Sequence, residues 1–100
     1  METVYVYRDS SSVLRAFPGI TFVTGGNNFK VVNATASDVT VSLPSEASTD
    51  EPVTIPAGKR SNISTKSQGS STTRAYSFQV TTRSGARAKA NSDPVLIIEN

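Results

Sequence analysis

Apolar and polar residues alternate with a period of two along much of this chain. Val39, Val41 and Leu43 alternate with Thr40 and Ser42, and Tyr76, Phe78 and Val80 alternate with Ser77, Gln79 and Thr81. Successive strand side chains point to opposite faces, so the spacing predicts strands with one buried face and one in water. Phe29 and Val31 continue the pattern beside Lys30 until Val32 breaks it. Val4 and Val6 alternate with Tyr5 and Tyr7, which predicts a strand covering apolar surface on both sides. Val95 to Ile98 is an unbroken apolar run, the pattern of a central or doubly covered strand.

Pro18-Gly19, Gly25-Gly26-Asn27-Asn28, Pro44-Ser45, Pro56-Ala57-Gly58, Gly69-Ser70-Ser71, Ser84-Gly85 and Ser92-Asp93-Pro94 interrupt these segments. Proline fixes φ, and glycine or asparagine tolerates positive φ, so each reads as a turn. The predicted strands are 2–7, 12–16, 20–24, 28–33, 38–43, 52–55, 60–66, 74–82 and 94–99, with 12–16 and 52–55 alternating poorly. No window carries an i, i+3, i+4 apolar stripe, so no helix beyond a turn or two is expected. Short strands at this spacing predict a two-sheet sandwich or a small barrel. The predicted core is Val6, Phe22, Phe29, Val31, Val39, Val41, Leu43, Ile55, Ile63, Tyr76, Phe78, Val80, Val95 and Ile97.

Composition supports the same picture. Eleven Val, five Ile and twelve Thr stand against three Leu, and branched Cβ atoms suit a pleated sheet better than a helix. Fifteen Ser suit solvated strand faces and turns, while the low net charge of +2 and the regular alternation argue against disorder. A chain of 100 residues buries roughly two-thirds of its extended surface and supports one core, so residues 1–100 read as a single domain. There is no internal repeat, and Thr65–Thr73 is the one low-complexity stretch. The apolar run from Pro94 to Ile98 is too short to span a membrane. Met1-Glu2-Thr3-Val4 lacks the basic start of a secretory leader, and no apolar segment of leader length follows. A cytoplasmic location is therefore expected if Met1 is the native start, and a periplasmic or secreted one if a leader has been removed.

The chain has no cysteine and no histidine. That removes disulfides, thiolate nucleophiles and thiolate metal sites, together with the commonest general base and transition-metal ligand. Among the carboxylates only Asp50 and Glu51 are adjacent, and successive strand residues face opposite ways, so nothing points to a glycosidase pair. Glu46, Asp50 and Glu51 offer oxygen ligands from one loop, but at no ordered calcium-loop spacing. A Ser–Lys nucleophile using Lys30, Lys59, Lys66 or Lys89 has no supporting motif. Gly25-Gly26 lacks the Lys-Ser/Thr and the helix of a phosphate loop. Asn33-Ala34-Thr35 and Asn62-Ile63-Ser64 match the N-glycosylation acceptor pattern, which chance produces readily in a chain so rich in Ser and Thr.

Charge is unevenly distributed. Residues 1–58 carry three basic and six acidic side chains, for −3, whereas residues 59–100 carry seven basic and two acidic, for +5. Arg83, Arg87 and Lys89 cluster before the last strand and are candidate contacts for an anion or an anionic partner. The plain alternative is a solvated loop. Nucleic-acid binding would want exposed aromatics among the basic residues, and here Tyr76 and Phe78 alternate as core positions instead.

Three segments taken together resemble a known family. Phe29-Lys30-Val31-Val32-Asn33 followed by Asp38-Val39-Thr40-Val41 resembles the strand–Asn–loop–strand of cupredoxins, the blue-copper β-sandwich proteins. Thr54-Ile55-Pro56-Ala57-Gly58 resembles that family's IPAG-type turn, and Ala75-Tyr76-Ser77-Phe78-Gln79-Val80 resembles the strand that carries its copper cysteine. The match spans about residues 20–98 in the same order. The resemblance implies that the family's four copper ligands, a histidine, a cysteine, a second histidine and an axial methionine, fall at or near Ser37, Val80, Arg83 and Ala88. None of these supplies the thiolate or imidazole that a blue-copper site needs. Ala88 to Pro94 is also longer and more polar than the family's short ligand loops.

The expectation is an all-β Greek-key sandwich of seven to eight strands, cupredoxin-like and without metal or other cofactor. Its expected function is a non-catalytic structural or binding module, with the 83–93 loop as the contact surface because loops vary on a fixed core. The alternatives are an immunoglobulin-like adhesion or assembly module, its asymmetric charge driving head-to-tail contacts, and a carboxylate-dependent enzyme with an unforeseen pocket.

Overall fold

The alternating segments become strands close to where the pattern places them. The computed structural model describes residues 2–50, 52–69, 73–88 and 93–99. They form β1 (Thr3–Arg8), β2 (Leu14–Phe17), β3 (Ile20–Thr24), β4 (Asn28–Asn33), β5 (Val39–Ser42), β6 (Val53–Ile55), β7 (Arg60–Ser64), β8 (Arg74–Ser77), β9 (Gln79–Thr82) and β10 (Val95–Glu99). No helix occurs among the described residues. Two of the expected strands are confirmed in spite of poor alternation, 12–16 as β2 and 52–55 as β6.

One sheet runs β2-β1-β4-β7. The other two ladders, β3-β10-β8 and β6-β5-β9, meet through Phe78, the single residue between β8 and β9. They make one layer in the order β3, β10, β8/β9, β5, β6. Phe78 continues the β8–β10 register by one step, its N–H donating to Pro94 O at 2.9 Å. Similarly, β2 and β3 are one pass that changes sheet at Pro18-Gly19. The ten segments are thus eight passes of the chain, an all-β sandwich of the expected kind. Most neighbours are antiparallel, while β1 with β4 and β10 with β3 are parallel.

The core lies between the layers. Val4, Val6, Leu14, Ala16, Phe29, Val31 and Ile63 line it from the first sheet, and Val23, Val39, Val41, Ile55, Phe78, Val80, Leu96 and Ile98 from the second. Burying each Val, Ile, Leu or Phe contributes roughly 1.5–3 kcal/mol. The Phe29 and Phe78 rings meet with centroids 5.9 Å apart and planes tilted by 59°.

Several expected core positions face the other way. Phe22 is 52% exposed, and Thr21 and Val23 on either side of it are buried. In β10 the buried residues are Leu96 and Ile98, with Val95 and Ile97 only partly covered. The ladder explains both corrections. Leu96 stands opposite Tyr76 and Thr21, and Ile97 opposite Ala75 and Phe22. Once Tyr76 and Phe78 turn inward, register carries Leu96, Ile98, Thr21 and Val23 inward with them. The cost falls on Thr21, whose Oγ1 is buried with no hydrogen-bond partner among the described residues, an arrangement worth about 1–3 kcal/mol. Leu43 and Tyr76 are only partly buried but pack against the core. Tyr5 and Tyr7 are 49% and 36% exposed, so β1 is covered on one side rather than two.

The β1–β2 hairpin closes on Asp9. Its Oδ1 accepts the N–H groups of Ser11 and Val13 at 2.9 and 3.0 Å, and its Oδ2 accepts Arg15 Nε at 3.0 Å. The Arg15 hydrogen bond, helped by the Val13 N–H, holds the carboxyl below the usual aspartate range.

Replacing Ile98 with Ala is expected to lower unfolding stability by about 2–5 kcal/mol, Ile97→Ala by well under half as much, and Phe22→Ala by about 1 kcal/mol or less. Urea titration of the three variants checks the inward phase of β10 and β3. The depressed Asp9 pKa stabilises the fold fully above the unfolded value of about 3.9, and this contribution is lost as pH falls through the folded value. Asp9→Asn is accordingly expected to destabilise the protein at pH 6, with the difference from wild type shrinking toward pH 2 in thermal melts.

Candidate functional site

Inward parity in β4 runs Phe29, Val31, Asn33, which puts an amide in a core position. Asn33 is fully buried, and every polar atom of its side chain is used. Its Nδ2 donates to Ser37 O at 2.8 Å and to Ile55 O at 2.9 Å. Its Oδ1 accepts the Thr35 N–H at 3.0 Å and the Thr35 hydroxyl at 2.7 Å. The Thr35 hydroxyl is also within 2.9 Å of Ser37 O. One buried side chain therefore ties the 34–38 loop to the end of β6. The Pro56-Ala57-Gly58 turn docks on the same assembly: Gly58 N–H donates to Asn33 O at 2.9 Å, and Ala57 N–H donates to Asp38 Oδ1 at 3.3 Å. Gly58 has φ +73°, a conformation that glycine adopts at little cost.

A second turn is built on Thr82. Gly85 N–H donates to Thr82 O and Thr82 N–H to Ala86 O, at 3.0 and 2.9 Å. The buried Thr82 hydroxyl accepts the Ala86 N–H at 3.2 Å and lies 2.9 Å from the Ser84 hydroxyl. Beyond it, Thr81 bridges to Arg87, and Ala88 N–H donates to Val80 O at 2.7 Å. The start of the expected 83–93 loop is thus a closed, internally bonded turn.

These two turns border a cavity of about 470 Å³, lined by Ser37, Asp38, Arg83 and Ser84. That volume suits a small ligand. Arg83 makes no ion pair among the described residues. Asp38 and Arg83 share the cavity without contacting each other as an ion pair. A smaller cavity of about 200 Å³, beside Glu2, Phe22 and Asn27, holds no such pair of opposite charges among its described lining residues.

The three basic candidates have different surroundings. Arg83 lines the larger cavity. Arg87 does not line it, and its Nη2 pairs with Asp93 Oδ2 at 2.6 Å. Lys89 lies outside the described residues. Of the positions related to copper ligands by the sequence resemblance, Ser37 and Arg83 line the cavity, whereas Val80 and Ala88 are buried in the core. Among the described residues no three Asp or Glu side chains come close enough to hold a metal ion. Asp50 instead accepts the Ser64 N–H through Oδ2 at 2.9 Å, and Glu51 lies outside the described residues. Of the two glycosylation motifs, Asn33 has both amide hydrogens engaged inside the fold, while Asn62 is exposed.

Asp38 and Ser84 are not singled out by sequence as site residues: Asp38 enters only as the start of a strand segment and Ser84 only as part of a turn in the 83–93 loop. Asn33 did leave a signal: it extends the inward parity of β4 with a polar residue, which a fold tolerates only when the amide is fully bonded.

No protein-family model matches the sequence, and no curated protein matches it. The structure is similar to that of a purple cupredoxin from Nitrosopumilus maritimus, at 6% identity and a TM-score of 0.60, over 99% of this chain and 100% of that one. At that identity the likeness concerns the fold, which is cupredoxin-like.

Asn33→Ala strands the buried Ile55 carbonyl and frees the 34–38 loop. Its expected cost is about 2–3 kcal/mol of stability, read by chemical unfolding, together with faster amide exchange at Thr35 and Ser37.

Proposed function

We propose that this protein is a non-catalytic, metal-free binding module on a cupredoxin-like scaffold, and that its contact surface is the loop end around Arg83. The observation that carries this reading is a guanidinium with no ion-pair partner among the described residues, lining a cavity between two hydrogen-bonded turns. A guanidinium matches oxyanions such as carboxylate and phosphate in geometry as well as charge. The hydroxyls of Ser37 and Ser84 at the same cavity supply further donors. Arg87, neutralised in part by Asp93, adds basic character for a larger anionic partner, and Lys89 follows it two residues on in the sequence. The absence of histidine and cysteine from the chain supports the metal-free and non-catalytic parts of the proposal.

Retention on a sulfated polysaccharide or phosphorylated matrix at two salt concentrations tests it. Arg83→Gln is expected to lower the slope of log affinity against log salt by about one, and Arg87→Gln by less, since Asp93 already offsets that charge. A slope unchanged when Arg83, Arg87 and Lys89 are all replaced by Gln removes the anion-binding reading.

A further inference from the structure

The cavity between the 34–38 loop and the 82–86 turn presents both signs of charge. Arg83 and Asp38 line it together, yet the structure holds them outside ion-pair contact with each other. Asp38 is kept in place by its backbone partner, since Oδ1 accepts the Ala57 N–H at 3.3 Å. Arg83 sits in a turn closed by Thr82 and Ala86. Ser37 is placed through its carbonyl, which accepts the buried Asn33 amide, and its hydroxyl has no protein partner among the described residues. The loop and the turn thus place a cation and an anion at one cavity of small-molecule size, with no ion pair between them.

A simple anion drawn to Arg83 meets repulsion from Asp38, and a simple cation drawn to Asp38 meets repulsion from Arg83. A ligand carrying both charges gains from both. Resting on the binding-module reading above, we infer that this cavity takes a small zwitterion. Its oxyanion lies on the Arg83 guanidinium and the Ser37 and Ser84 hydroxyls, and its ammonium group lies on the Asp38 carboxylate.

The test is a titration of the full chain, followed by backbone amide shifts and calorimetry, with glycine, β-alanine, γ-aminobutyrate and ε-aminocaproate. Each is compared with the carboxylate of equal length that lacks the amine. This ladder measures the separation of the two charges as well as their presence. The expected result is that one ω-amino acid binds about ten-fold more tightly than its matched carboxylate, with shifts at Ser37, Asp38, Arg83 and Ser84. Asp38→Asn, which keeps an oxygen for the Ala57 N–H, should erase that advantage without weakening the carboxylate. Arg83→Gln should weaken both. If carboxylates bind at Arg83 as well as the amino acids do, the zwitterion inference is overturned and the anion-binding module stands. If no member of either series shifts these residues, the inference fails, and the salt-slope measurement alone then decides the wider reading.

Discussion

The two layers meet at an aromatic contact, Phe29 from β4 against Phe78 from the break between β8 and β9. A sandwich is stable only if both inner faces are apolar along their length, and these two rings are the largest fully buried side chains among the described residues. Phe78 also redirects its strand. Its N–H, given to Pro94 O, is the last bond in the β8–β10 register, and from Gln79 onward the strand pairs with β5 instead. One pass of chain thereby serves two neighbours, and its inward parity sets the facing of all six strands in that layer.

The consequences run outward from that parity. With Tyr76 inward, register brings Leu96 and Thr21 inward as well. Ile20, Phe22, Val95 and Ile97 are then left on the outer face, while Thr40, Thr54 and Thr81 occupy it at the other half of the layer. The outer face is apolar at the β3 edge and polar toward β6. The fold accepts this, together with an orphaned Thr21 hydroxyl, because Val23, Leu96 and Ile98 fill the interior in exchange.

At the loop end the same interior governs the chemistry. Val80 and Ala88 belong to the core, while Asn33 and Thr82 spend their polar atoms in holding two turns. What remains for a ligand is the rim, where Ser37, Asp38, Arg83 and Ser84 surround the cavity. The scaffold fixes where these groups stand, and their charges supply the selectivity proposed for the site.

Period-two patterning and turn residues sufficed to locate the strands and to indicate an all-β sandwich, because alternation and proline or glycine breaks act over a few neighbouring residues. Three segment resemblances pointed to the same fold. Local pattern did not decide the facing of β3 and β10, since Val95 to Ile98 is apolar at every position and either phase satisfies it. Pairing with Tyr76 decided it. The cavity was equally out of reach of the sequence. Asp38 and Arg83 are 45 residues apart, and only the closure of the sandwich, with Asn33 and Thr82 bonding their turns, brings their charges to one opening. Short-range periodicity is written into the chain, whereas register and the meeting of distant loops are properties of the assembled sheets.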